Sequence, residues 1–440
     1  MELTIEKLVY GGDGLARLEQ ADGKRKTVFV PLVLPGERVD AEIVEERPGF
    51  ARAKLERVIE PSAQRATPPC PYFGECGGCH YQHTTYGEQL KLKREILRET
   101  VARIAKIELP EIEVHASPPL NYRNRTRMKF AIVAGAETKF VVGYHKLGSR
   151  QLLPVRECPI SSPLINRALA ALWDLALAHD LPKGLAEIQL FANATDDTLQ
   201  VDFLAQPNPD RASLASFAGT LSRKLPQVSG IALLPHIHME DDLAAPELEG
   251  AVGAKADTLF GRDYLDYEAA EFSYRVSAGS FFQTNRHLAA KLIELACRNA
   301  SGKLAIDLYA GVGLFTVPLA RSFDRVVAVE AAPSSYADLK SNAPRNAKTV
   351  ESTTEAFLEH TRQKPDFVVV DPPRAGLGKR AASGVKTLAP ESLAYVSCDP
   401  STLARDLAGL SAAGYRVSEA HLVDLFPQTF HIETVLRMER

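Results

Sequence analysis

Cys398 stands where two kinds of sequence pattern meet. In the stretch Tyr395–Asp406, YVSCDPSTLARD, an apolar run from Leu393 to Val396 stops at Ser397-Cys398-Asp399-Pro400, and an amphipathic TLARDLAGL stretch follows. The run reads as a strand, and Ser401 before the periodic stretch reads as a capped helix start. A thiol in that gap lies near unpaired backbone N–H groups and the positive end of a helix dipole, which favour the thiolate. Cys398 is therefore a candidate nucleophile. The competing reading is a cysteine packed as a small hydrophobe.

Other strand ends carry matching chemistry. The run KLAIDL ends near Asp307 and leads through Tyr309 to Gly311-x-Gly313, a turn that lets backbone approach a ligand, with a helix expected from Leu314. The run RVVAVE ends in Glu330, from which a carboxylate can hold ribose hydroxyls. A third glycine at dinucleotide spacing is missing, so a nucleoside without pyrophosphate, such as S-adenosylmethionine, fits better. The strand DFVVV ends in Asp371-Pro372-Pro373-Arg374. Asp-Pro-Pro turns recur in nucleobase methyltransferases, and those acting on exocyclic amines usually carry an aromatic where this chain has Arg374. A different base chemistry follows, one that needs a nucleophile. Finally, Tyr415–Val423 and HIETVLRM, joined by DLFPQTF, are expected to pair as a hairpin. Antiparallel direction starts its second strand at the edge where the parallel strands finish, which places Glu433 beside Cys398. Tyr309, Glu330, Asp371, Cys398 and Glu433 thus converge on one crevice.

Three more cysteines suggest a second centre. Cys70, Cys76 and Cys79 fall within CPYFGECGGC, and Gly77-Gly78 permits the tight backbone path that turns their thiolates inward. Cys158 is the natural fourth ligand, because Cys-Pro recurs there and Cys297 sits among apolar neighbours as a core residue. Four thiolates suit zinc or an iron–sulfur cluster, and three clustered cysteines with a distant fourth favour the cluster. His80 and His83 are rival ligands.

Stepping outward, 440 residues with 45% hydrophobic content provide for two or three cored domains of an ordinary soluble protein. The net charge is −3, yet residues 1–150 hold 24 Lys and Arg against 20 Asp and Glu, so the basic excess lies at the front. No apolar run approaches the roughly 20 residues of a membrane helix, and Met1-Glu2-Leu3 opens straight into a strand pattern. A cytoplasmic protein with no membrane partner, acting as a monomer, is expected. Residues 1–60 show about five short strands suited to a small OB-like β-barrel that binds RNA or serves structure alone. Residues 61–271 read as a central α+β domain containing the cysteines, with a capping box at Thr85-x-x-Glu88 opening a helix to about Ile107. In YRNRTRMKF, Arg123, Arg125, Arg127 and Lys129 alternate, so a strand would present all four on one face. Their mutual repulsion suggests a phosphate backbone lying across them. Residues 272–440 read as a Rossmann-like α/β domain.

With these residues in view, the chain resembles the RNA uracil-5-methyltransferases that join an N-terminal TRAM barrel to a cysteine-ligated 4Fe-4S cluster, the type acting on 23S rRNA. The resemblance rests on CPYFGECGGC, Cys158, SFFQTN, DLYAGVG, the VE dipeptide, DPPRAG, SCDPSTLARD and DLFPQTFHIETV, in that order across the whole chain. It implies an α/β and α+β multidomain architecture of TRAM barrel, Fe–S domain and S-adenosylmethionine-dependent methyltransferase domain. It further implies Cys398 as nucleophile adding to uracil C6, Glu433 as base for the C5 proton, and Gln283, Tyr309, Glu330 and Asp371 as S-adenosylmethionine contacts. Cys70, Cys76, Cys79 and Cys158 resemble the cluster ligands. The substrate expected is 23S rRNA, with tRNA the alternative, and an RNA-binding Fe–S protein with an inactive methyltransferase fold is the rival. Two positions depart from the family pattern, Ala310 for a common Cys and Asp399 for a common Asn. A carboxylate at Asp399 would oppose thiolate formation.

Overall fold

The computed structural model describes residues 1–19, 23–133, 139–177, 181–236 and 256–440. Strands Glu2–Leu8, Gly14–Glu19, Arg25–Val30, Arg38–Glu46 and Phe50–Glu60 close into a barrel. Period-2 alternation drives this closure: Leu3, Ile5, Val28, Val30, Val39 and Ala41 fill the interior, while Glu2, Thr4 and Glu6 face water. A closed barrel has no free edge to pair with another chain.

The second sheet has seven strands in the order Asp257–Gly261, Val228–Pro235, Leu199–Ala205, Leu185–Ala192, Arg125–Ile132, Phe140–His145 and Leu152–Pro154. Helices Pro163–Leu175 and Arg211–Lys224 bury Leu169, Leu172, Phe217 and Leu221 against Met128, Ile188, Leu190, Val201 and Phe203 on one of its faces. This is the expected α+β pattern.

The third sheet has eight strands, and five are parallel: Ala347–Glu351, Phe323–Glu330, Gly302–Leu308, Phe367–Val370 and Ser392–Ser397. Glu433–Glu439 adds antiparallel to Ser392–Ser397, and Arg416–Val423 pairs antiparallel with it in turn, as the hairpin reading expects. The eighth strand, Ile112–His115, pairs parallel with Arg416–Val423. Helix Tyr86–Ala105 docks Leu92, Ile96 and Val101 into the core that also holds Leu403 and Leu407 of helix Pro400–Ala412. Residues expected in a single central segment, 61–271, therefore serve two bodies. Their apolar faces find partners in the C-terminal sheet, a pairing across some 300 residues that local periodicity does not carry. Residues 271 and 272 also lie inside a hairpin, Tyr264–Ala269 with Phe272–Ser277, whose Tyr267 and Tyr274 pack on Phe282. Among the described residues no helix is long and apolar enough to cross a membrane.

Candidate active site

Strand Ser392–Ser397 delivers Cys398 to the crevice, but the helix after it starts earlier than Ser401. Asp399 is the N-cap, its Oδ1 accepting from the Ser401 and Thr402 amides at 2.8 and 3.0 Å, with Pro400 in the first turn. The departure at Asp399 thus retains the acceptor that a cap requires. The Ser397–Thr434 pair ends the antiparallel ladder, and the next residue along each strand is Cys398 on one side and Glu433 on the other. Glu433 is buried, 5% exposed. Burial, then the nearby Asp371 carboxylate, push its pKa well above the usual range, with Arg374 opposing. Asp371 closes the third side and is pushed up to about 7 by burial.

The thiol does not follow the helix-dipole expectation. Burial pushes the Cys398 pKa above its ordinary value, the Glu433, Asp371 and Asp399 carboxylates add to the rise, and the Arg374 guanidinium opposes it. Several carboxylates in a desolvated crevice outweigh one helix N-terminus. Arg374 is the balancing cation, tied to His431 Nδ1 at 3.2 Å. Gly376 in the same loop has φ +71°, and a Cβ there would sit 2.5 Å from Asp406 Oδ2, so the close loop-to-helix approach requires glycine.

The neighbouring strand ends carry the rest of the crevice. Gly311, at φ +55°, has nothing within 4 Å of where a Cβ would lie, so its backbone is open to a ligand. Glu330 accepts from the Gly311 amide at 2.8 Å and from Ala331 and Ala332 at 2.8 and 2.6 Å, which fixes its carboxylate at the strand end. Tyr309 holds a left-handed backbone, φ 61°, between strand and glycine turn. The helix after that turn is only Thr316–Leu319, later and shorter than expected from Leu314. Gln283 is 6% exposed. Asp307, fully buried, takes Thr316 Oγ1 at 2.6 Å and leaves Oδ1 without a partner. Burial pushes Asp307 up to about 7, and the Asp371 and Glu330 charges contribute to the rise. An orphaned acceptor, an open backbone cradle and carboxylates at successive strand ends suit an ammonium- and ribose-bearing nucleoside such as S-adenosylmethionine.

Cys70, Cys76, Cys79 and Cys158 line one cavity, all four as free thiols. The Gly78 amide donates to Cys76 Sγ at 3.4 Å and Arg123 Nη2 to Cys158 Sγ at 3.3 Å, two donors that offset thiolate charge. His80 and His83 do not line the cavity; they pack on Phe430 and Phe73.

The alternating cations are placed otherwise than expected. Arg125 and Arg127 are 4% and 9% exposed. Lys129 pairs with Glu187, and Arg127 Nε lies 3.7 Å from the same carboxylate. Arg125 stacks 4.9 Å over Phe191 and faces the buried Asp202, and Arg123 donates to Tyr144 Oη at 2.7 Å. The anions that relieve their repulsion are supplied by strands Leu185–Ala192 and Leu199–Ala205, so no external polyanion is required. A cleft of about 420 Å³ between barrel and helix is lined by Lys7, Arg17, Arg52 and Arg103 together with Asp13 and Glu99, and Arg52 lies over Phe29 while pairing with Asp13 at 2.9 Å.

Tyr10, at the foot of that cleft, was not visible as a site residue. It comes from the barrel, donates to the carbonyl of Cys398 at 3.0 Å, and meets Phe430 edge-on at 5.5 Å; Phe430 in turn packs on His80 and His431. Its neighbour Val9 and the GGDG turn carried only a turn signal. Tyr10 is a positioning residue: Tyr10→Phe is expected to lower kcat about 2- to 12-fold through one lost hydrogen bond of about 0.5–1.5 kcal/mol, with KM unchanged. Steady-state kinetics that show a KM effect alone would remove Tyr10 from this role.

Comparison with known proteins fits this geometry. Residues 251–440 match the tRNA (Uracil-5-)-methyltransferase family model and residues 1–55 the TRAM domain. An uncharacterized RNA methyltransferase of Aquifex aeolicus is 33% identical over 100% of this chain and 98% of its own length. A 23S rRNA (uracil(1939)-C(5))-methyltransferase RlmD of Chromohalobacter salexigens is 33% identical over 100% of this chain and 89% of its own. The crystal structure of Pyrococcus abyssi tRNA (uracil-54, C5)-methyltransferase, in complex with S-adenosyl-L-homocysteine, superposes with TM-score 0.74 at 24% identity, covering both chains completely. Barrel, strand-end crevice and full-length relatives agree, and the chain belongs to the S-adenosylmethionine-dependent RNA uracil-5-methyltransferases.

Proposed function

We propose that the protein methylates C5 of a uridine in 23S rRNA through a covalent Cys398 adduct. The observation that carries the reading is the placement of Cys398 and Glu433 one step beyond the Ser397–Thr434 pair, with the carboxylate buried. Uracil C5 is a weak nucleophile. The Cys398 thiolate adds to C6, forming a C–S bond and driving the C5–C6 π electrons toward the C4 oxygen as an enolate. S-adenosylmethionine, when bound, supplies a sulfonium methyl group to which C5 can bond. Glu433 then takes the C5 proton, the C–H electrons restore the double bond, and Cys398 leaves as thiolate. A raised pKa suits Glu433 to this step, since a basic carboxylate is the better proton acceptor.

Gln283, Tyr309, Glu330 and Asp371 would hold the nucleoside, and Asp307 Oδ1 offers a further acceptor. The target base must leave its stack to reach the crevice, and Phe281, 40% exposed beside the buried Phe282 and Gln283, offers a face for it to stack on. Flanking RNA would follow the cationic cleft from the barrel. Cys70, Cys76, Cys79 and Cys158 would hold a 4Fe-4S cluster with a structural role, because no step above transfers an electron. The 23S rRNA assignment rests on the full-length relative of that name.

RNA carrying 5-fluorouridine tests the reading, because fluorine cannot leave C5 as the proton does. Incubation with S-adenosylmethionine is expected to yield a protein–RNA adduct stable to denaturing gel electrophoresis, and its absence would count against the mechanism. Mapping 5-methyluridine in total RNA with and without the gene separates substrates: loss from 23S rRNA supports the assignment, and loss from tRNA alone overturns it.

A further inference from the structure

A second cluster of ligating side chains lies away from the crevice and the four cysteines, on the edge pair Ile112–His115 and Arg416–Val423. The parallel register sets His421 opposite Glu113 and Val423 opposite His115, so Glu113, His115 and His421 share one face, together with Glu419. His115 Nε2 and His421 Nδ1 are 3.2 Å apart. Glu113 reaches both, with Oε1 3.8 Å from His115 Nε2 and Oε2 3.4 Å from His421 Nδ1.

We propose that Glu113, His115 and His421 form a binding site for a tetrahedral transition-metal ion, Zn2+ by preference. Bonds of about 2.0–2.1 Å to a tetrahedral centre place ligand atoms about 3.3–3.4 Å apart; the two histidine nitrogens stand close to that spacing, and Glu113, which meets the two rings with different carboxylate oxygens, must turn to present a single one to the ion. The His421 tautomer fits. Glu419 Oε2 lies 3.1 Å from His421 Nε2, and a carboxylate only accepts, so Nε2 carries the hydrogen and Nδ1 presents its lone pair toward the cluster. A carboxylate on the remote nitrogen of a ligating histidine is a common outer contact of metal sites. His421 is 3% exposed, so its ring is held, whereas the Glu113 side chain is 60% exposed and free to adjust.

The fourth position faces solvent, so the ion would be coordinated by three protein groups and one water. Its consequence is mechanical. Ile112–His115 comes from the N-terminal half, and the His115 carbonyl accepts from the Asp424 amide at 2.9 Å, where the loop toward Glu433 begins. A metal ion would staple that strand to the catalytic sheet at its edge.

Protein purified anaerobically with its cysteine site filled, then treated with a mild chelator, can be titrated with Co2+ and Zn2+. One equivalent of Co2+ is expected to give the visible bands of a four-coordinate ion, displaced by Zn2+, and Zn2+ is expected to raise the thermal midpoint. Glu419→Gln should weaken Zn2+ binding about 10- to 100-fold, and His115→Ala should abolish the Co2+ bands. Glu113→Gln, at an exposed side chain that the fold does not need, should weaken uptake with the metal-free midpoint unchanged. Absence of saturable uptake by the wild-type protein, or uptake equal in wild type, His115→Ala and Glu113→Gln, would overturn the site.

Discussion

Cys398→Ala is expected to lower the rate of methyl transfer by about 10,000-fold or more, with binding of RNA and of S-adenosylmethionine retained. The size of the loss follows from the chemistry: without the C–S bond, uracil C5 has no enolate electrons with which to attack, and no neighbouring side chain can replace a sulfur nucleophile. Glu433→Gln should act at the other end of the sequence. Addition and methyl transfer remain available while the C5 proton has no acceptor, so a methylated protein–RNA adduct should accumulate to near one equivalent, whereas Cys398→Ala should yield none. Denaturing electrophoresis distinguishes the two variants, and adduct formation by Cys398→Ala would refute the assignment of the nucleophile. The pH dependence has a defined sign. Burial and the surrounding carboxylates raise the Cys398 pKa in the free protein, so kcat/KM should keep rising with pH through the ordinary thiol value of about 8.5. Asp399→Asn removes one of those charges while keeping a capping oxygen, and the rise should move to lower pH. Replacing Arg374 by Gln removes the opposing cation, and the rise should move to higher pH.

What was legible before the structure was chemistry tied to strand ends. Cys398, Asp371 and Glu330 announce themselves because an apolar run of strand length stops and a polar residue follows, and the placement of Glu433 required only the direction reversal of a hairpin. The four cysteines were legible because Gly-Gly spacing and a repeated Cys-Pro survive without knowledge of the fold. The misreadings share one cause, which is charge compensation across long separations. Arg125, Arg127 and Lys129 resemble an RNA-facing stripe until Glu187 and Asp202, on two other strands, are set beside them. The lowered thiol pKa expected of Cys398 set the helix dipole against Asp399 but not against Glu433 and Asp371, which the same topology gathers around it. Tyr10 and the pair His115 and His421 lacked any local signal, since each acquires meaning from an element more than 300 residues away.

The same long separation governs the second large effect. Lys93, on helix Tyr86–Ala105, is 0% exposed, and its Nζ donates to Asp424 Oδ1 at 2.6 Å and to the Phe426 carbonyl at 2.9 Å. The Asp424 side chain is likewise 0% exposed and takes a second hydrogen bond from Tyr86 Oη at 2.9 Å. Burial lowers the Lys93 pKa and Asp424 opposes that shift, so the ammonium depends on its partner. Removing one member leaves the other charged, desolvated and uncompensated: Lys93→Met is expected to destabilise the fold by about 3–5 kcal/mol, read from urea unfolding at constant slope. Lys93→Met combined with Asp424→Asn should recover a large part of that loss, because the cost lies in the orphaned charge rather than in the missing attraction. The anchored segment runs from Asp424 to Glu433, and the Gln428 carbonyl accepts from His80 and Tyr81, next to Cys79, at 2.8 and 2.9 Å. Release of Asp424 should therefore lower kcat while iodoacetamide still alkylates Cys398, which separates a displaced Glu433 from a lost nucleophile. If Lys93→Met proves as stable as wild type, the pair is not the anchor, and the hydrogen bonds of Gln428 must hold the loop without it.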